Sequence, residues 1–80
     1  MNEQEAREAV HAAIGKVAPD VDLDGLDEGL RLRQDLELDS LHFLRLVETI
    51  DEATGVDIPE SDYPAVSTVK ALISYLAARG

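Results

Sequence analysis

Turned by about 100° per residue, the segment 40–54 gathers Phe43, Leu46, Val47, Ile50 and Ala53 on one face. This stripe constrains the fold most, because an apolar helix face must be covered by other elements. Asp39 stands where an N-cap belongs, its carboxylate able to accept from free N–H groups of the first turn. Ser40 falls at the first helical position, beside the positive end of the helix dipole, where a negative group on its oxygen would be favoured. Gly55 ends the helix as a left-handed C-cap. The opposite face carries Leu41, Arg45, Glu48 and Glu52, with His42 and Leu44 on its flanks. Leu41 is thus an apolar residue on a polar side, next to a hydroxyl.

The remaining segments supply the cover. Ala6, Val10, Ala13, Ile14 and Val17 recur at helical spacing over residues 3–17, with Glu3, Glu5 and Glu8 near the N-terminal end, and Pro19 closes this helix. His11 is placed on its solvated flank. Residues 19–39 form a connection too long to be passive in a small domain. Leu23, Leu26, Leu30, Leu32, Leu36 and Leu38 are its anchors. Val56 and Ile58 point inward from an extended exit, and residues 60–65 allow only a short helical turn around Pro64. Ser67 or Thr68 caps a last helix with Val69, Leu72, Ile73 and Leu76 inward, and Ala77 to Gly80 are expected to fray. The fold class is all-α: a small up-down four-helix bundle, three main helices plus one short one, with a long loop between helices 1 and 2. Residues 1–80 make one domain near the size at which a single core only just suffices. Without cysteine, its stability must come from packing, and with Phe43, Tyr63 and Tyr75 the only aromatics, that core is aliphatic.

Several function classes are disfavoured. Seventeen acids against 7 lysines and arginines give a formal charge of −10, which repels nucleic acid and anionic lipid and favours basic partners. No apolar run is long enough for membrane insertion, and the acidic N-terminus lacks the bases of a signal peptide, so a cytoplasmic monomer is the expectation. Asp20, Asp22, Asp24 and Gly25 match the opening of a calcium loop, but its closing position is Arg31, a cation where a bidentate glutamate belongs. No metal site is expected, beyond weak divalent binding by those acids. Ser40 and His42 do not form a hydrolytic pair, since two residues apart on a helix are turned about 200° from each other. A bundle of this size also leaves little room for a substrate pocket of the usual ~300–1,000 Å³. No enzyme is expected.

The run Leu32–Pro59, LRQDLELDSLHFLRLVETIDEATGVDIP, resembles the acyl carrier protein family. The likeness rests on leucines before the Asp39-Ser40-Leu41 triplet, an apolar helix after it, and the exit Gly55-Val56-Asp57-Ile58-Pro59. It implies that Ser40 carries 4'-phosphopantetheine, added from coenzyme A by a phosphopantetheinyl transferase that Asp39 helps to position with its magnesium. It implies that Leu41 and the exposed helix face, with Leu44, Arg45, Glu48 and Glu52, dock acyl-loading ligases or synthases of fatty-acid, lipid or polyketide biosynthesis. It implies further that an acyl chain can slip between the helices. Having no thiol of its own, the chain must rely on the arm's sulfur for thioesters, and the tether raises effective concentration at each enzyme. Departures from the family pattern are Glu37 where glycine is frequent, His42 and Arg45 among expected acids, Glu48 at an apolar contact, Thr54 for an aromatic, and Phe43 as an early aromatic. These predict a specialised discrete carrier. An aminoacyl or peptidyl carrier on the same fold, or an unmodified helical adaptor, are the alternatives.

Overall fold

The computed structural model describes residues 1–79. Helix α1 spans Glu3–Val17, α2 Ser40–Thr54 and α3 Val69–Arg79, with a 3-10 helix at Glu60–Val66 before α3. The expected three long helices and one short one are all present, and α1 lies against both α2 and α3. Helix α1 starts on a capping box: Asn2 Oδ1 accepts from Glu5 N–H at 2.8 Å while Glu5 Oε1 accepts from Asn2 N–H at 3.1 Å. Gly55 closes α2 at φ +75°, a backbone angle that side chains disfavour, and its N–H donates to Asp51 O.

Val10 and Ile14 from α1 meet Leu46 and Ile50 from α2 and Leu72, Ile73 and Leu76 from α3 in one aliphatic core. Of the α2 stripe, Phe43, Leu46, Val47 and Ile50 are buried. Ala53 is not: it is exposed in the last turn, beyond the reach of the neighbouring helices, so the stripe is one residue shorter than its periodicity suggests. Ile58 is buried and Val56 partly so, as expected of the exit.

The long connection is fastened at both ends of its length. Leu32 and Leu38 are fully in the core, and Leu23, Leu26, Leu30 and Leu36 pack partly against it. Its backbone also completes α3. An isolated antiparallel bridge joins Arg31 to Thr68; Leu32 N–H donates to Ser67 O at 2.9 Å, Val69 N–H to Leu30 O at 3.1 Å, and Lys70 N–H to Glu28 O at 2.7 Å. Thr68 Oγ1 takes Ala71 N–H at 3.0 Å, so Thr68 rather than Ser67 is the cap. The first-turn donors that a helix leaves open are therefore satisfied largely by the loop. From the other side, Arg7 on α1 pairs with Glu28, which holds that carboxyl below the usual range and raises the guanidinium.

Two expectations about the periphery are corrected. Ala77 to Arg79, expected to fray, are part of the helix, which runs to Arg79, whose guanidinium lies 3.7 Å from the Tyr75 ring centre and 3.5 Å from Asp62 Oδ2. Tyr75 Oη donates to the same Asp62 oxygen at 2.6 Å, so the end of α3 is tied to the 3-10 helix. Gly80 lies outside the described residues. His11 is not on an open flank but partly buried, with its Nε2 inaccessible and lacking a hydrogen-bond partner among the described residues. The leucine-bearing loop packs over that side of α1, which helical periodicity alone does not convey.

Candidate functional site

Leu38 sinks into the core and Phe43 does the same five residues later, so the intervening Asp39 and Ser40 are held at the surface between two anchors. Asp39 is extended (φ −78°, ψ −179°) and caps α2: its Oδ1 accepts His42 N–H at 2.8 Å. His42 Nδ1 lies 2.8 Å from the same oxygen. An ionised carboxylate only accepts, so Nδ1 carries a proton in this contact. These bonds, the backbone one foremost, hold the Asp39 carboxyl below the ordinary aspartate range.

Ser40 opens α2 with its hydroxyl exposed. Its partner is Arg33, whose Nη2 donates to Ser40 Oγ at 3.0 Å. A guanidinium has no lone pair to offer, so Ser40 accepts and its own proton is left to be taken by a base brought from outside. Ser40 and His42 therefore have different partners, Arg33 and Asp39, and the two side chains are not joined as a nucleophile and base.

Leu41 (66% exposed) and Leu44 (42%) are the large apolar side chains left in solvent, and both follow Ser40 on α2. Arg45, Glu48 and Glu52 are exposed on the same helix. Leu41, Leu44 and Arg45 thus lie near Ser40 at the start of α2, whereas Glu48 and Glu52 lie further along the helix, Glu52 in its last turn. The structure also corrects one expectation: the bundle does have room beside Ser40. A groove of about 590 Å³ is lined by Arg33, Gln34, Leu38, Phe43, Tyr63, Pro64 and Ser67. Phe43 and Tyr63 meet edge to face in its wall, ring centres 5.0 Å apart at 77°. Asp20, Asp22 and Asp24 are not drawn into a metal-holding cluster among the described residues.

Two features of the site escaped the sequence reading. Arg33 lies in a stretch without periodicity, so nothing marked its side chain as reaching Ser40. Glu37 adopts φ +57°, a left-handed conformation that a residue with a Cβ takes at a cost. Here a signal existed, since this is the position where the resemblance leads one to expect glycine.

A covalently attached phosphopantetheine fits these residues: an accessible hydroxyl, no carboxylate bonded to it among the described residues, and a guanidinium already on its oxygen. When bound, that group supplies a thiol, which the chain lacks. The family model described as a phosphopantetheine attachment site matches residues 7–76. Among curated proteins, the chain is 30% identical over 73 residues to the acyl carrier protein of Rubrobacter xylanophilus, covering 88% of this chain and 90% of the relative. It is 36% identical over 56 residues to that of Zymomonas mobilis, covering 70% and 72%. To that of Lactobacillus johnsonii it is 30% identical over 56 residues, 70% of each. With the helical bundle and the Asp39-Ser40 helix start, these matches establish that the chain belongs to the acyl carrier protein family, whose cofactor is 4'-phosphopantetheine.

Proposed function

We propose that this protein carries acyl intermediates as thioesters on a phosphopantetheine arm esterified to Ser40. The observation that carries the reading is the exposed Ser40 hydroxyl at the start of α2, capped by Asp39 and lying inside the matched region. In the loading step, Ser40 Oγ forms a bond to the phosphorus that bears the pantetheine of coenzyme A. The pyrophosphate P–O bond breaks, the nucleotide bisphosphate leaves, and the serine proton goes to a base of the transferase. Asp39, held ionised, is the residue that meets the transferase and its magnesium. The arm's thiol then takes the acyl group, and tethering keeps the intermediate at high effective concentration beside each enzyme.

Leu41, Leu44, Arg45, Glu48 and Glu52 form the surface that those enzymes touch. Two exposed leucines close to the attachment point give an apolar contact, and the mixed charge around them selects among partners. The pathway we favour is fatty-acid, lipid or polyketide-type synthesis with a dedicated ligase or synthase. Intact-mass measurement after incubation with a phosphopantetheinyl transferase, magnesium and coenzyme A tests the reading. The wild type gains one phosphopantetheinyl group, and Ser40→Ala gains none. A wild type that stays unmodified with several competent transferases, or a Ser40→Ala chain that is modified as well, overturns it.

A further inference from the structure

Arg7 pairs with Glu3 and Glu28, Arg31 with Asp35, and Arg79 with Asp62. Arg33, like Arg45, has no carboxylate at ion-pair distance among the described residues, and of the two it is Arg33 whose guanidinium rests on the neutral oxygen of Ser40. In a chain of formal charge −10, that leaves a cation with uncommitted charge at the oxygen proposed for esterification. Arg33 also forms part of the groove wall, the one lining residue hydrogen-bonded to Ser40. The rest of the groove suits a chain with amide groups along it. Leu38, Phe43 and Pro64 are apolar, while Gln34, Ser67 and the Tyr63 hydroxyl offer polar partners.

We propose that Arg33 is a positioning residue for the prosthetic arm: its guanidinium holds the phosphodiester on Ser40 and so directs the pantetheine chain over the groove between Leu38, Phe43 and Tyr63. The inference rests on the attachment reading above. A phosphodiester carries one negative charge over two free oxygens, which the parallel N–H donors of arginine match and the point charge of lysine matches less well. In the unmodified protein the same guanidinium occupies the hydroxyl. On modification it keeps its place and exchanges a neutral acceptor for an anionic one. The consequence is a carrier whose arm spends more time against its own surface, released when a partner's basic groups compete for the phosphate.

The chain lacks cysteine, so the arm's sulfur is the single thiol in the modified protein and its reactivity can be read without background. Wild type, Arg33→Lys and Arg33→Gln are loaded to completion, with the mass of each confirmed. The ring resonances of Phe43 and Tyr63 are then compared before and after loading, and the thiol's rate of alkylation by iodoacetamide is measured. Loading shifts both rings in the wild type, less in Arg33→Lys and least in Arg33→Gln. Because exposed ion pairs bias an equilibrium by roughly two- to fivefold, the thiol reacts that much faster in Arg33→Gln than in wild type, and the gap closes in high salt. Ring signals indifferent to loading in the wild type, or equal shifts and equal alkylation rates in all three proteins, overturn the inference. Failure of the wild type to gain mass would instead sink the attachment reading, which keeps the two apart.

Discussion

Replacing Glu37 by glycine should make the protein more stable, although it removes a side chain. At φ +57° the Cβ crowds its own backbone, at a cost of about 1–2 kcal/mol for a residue other than glycine. Glycine removes that strain but enlarges the unfolded ensemble, which takes back about 0.4–1 kcal/mol. The difference is a gain of about 0–1.6 kcal/mol, centred on about 0.8 kcal/mol, which is roughly 3–6 °C in Tm for a domain of this size. Glu37 is exposed and makes no side-chain hydrogen bond among the described residues, so little else is lost. Its charge is a separate matter, since removing any acid from so acidic a chain relieves repulsion. Glu37→Gln isolates that effect, and the strain relief is the difference between the two variants. Gly55→Ala is the mirror experiment. Gly55 sits at φ +75° and an added Cβ meets nothing within 4 Å, so its penalty is conformational alone. The chain has no tryptophan, so urea unfolding is followed by circular dichroism, with an unchanged m-value required for comparison. If Glu37→Gly is no more stable than Glu37→Gln while Gly55→Ala loses stability, the strain argument is wrong and the Glu37 side chain stabilises its surroundings, which include Asp20 and His42.

Leu32 is fully buried although it belongs to a loop, so Leu32→Ala should cost about 2–5 kcal/mol, as in a helix core. Leu26→Ala, at a partly buried anchor, should cost less than half as much; equal urea midpoints for the two would refute the ranking. Glu28, Asp35 and Asp39 all titrate below their ordinary values, held by Arg7, Arg31 and the His42 backbone N–H respectively. A depressed folded value means the contribution is complete above the unfolded value (4.5 for Glu28, 3.8 for the aspartates) and is lost as pH falls through the lower folded one. Arg7→Met removes the Glu28 part, so its urea midpoint should fall less than the wild type's from about pH 5 to about pH 3. On the exposed face, Leu41→Ala should stay within about 0.5 kcal/mol of wild-type stability yet weaken transfer by partner enzymes. Arg45→Glu should improve use of the modified protein by general fatty-acid enzymes, and an unchanged partner panel would count against a specialised carrier.

What could be read from the chain followed where a physical period exists. The spacing of Phe43, Leu46, Val47 and Ile50 fixed the inward face of α2, and Asp39 and Gly55 marked its ends, because caps and stripes are local properties. Ala53 was misplaced for the same reason: periodicity says which way a residue points but not where the neighbouring helix stops. The end of α3 looked free because Arg79 finds Asp62 across 17 residues, a pairing no local pattern encodes. Within the site, Ser40 and Asp39 were legible as a cap and a first-turn hydroxyl. Arg33 was not, since its meaning depends on how a segment without regular structure is folded.

That segment is where the candidate site is made rigid. The loop carrying Arg33 and Glu37 is held both by its own Arg31–Asp35 closure and by α3, whose first-turn N–H groups close on Glu28 and Leu30 while Ser67 O takes Leu32 N–H. Arg33 follows directly on Leu32, whose side chain is in the core, so the guanidinium reaches for Ser40 from a fixed point. Glu37 then turns the chain through its left-handed angle so that Leu38 can enter the core and Asp39 can cap α2. The surroundings of Ser40 therefore depend in part on contacts with residues 67–70, about thirty positions further along the chain. Loosening the bridge at Thr68 should disturb the Arg33–Ser40 contact before it disturbs α2 itself, because the cap at Asp39 is local and the reach of Arg33 is not.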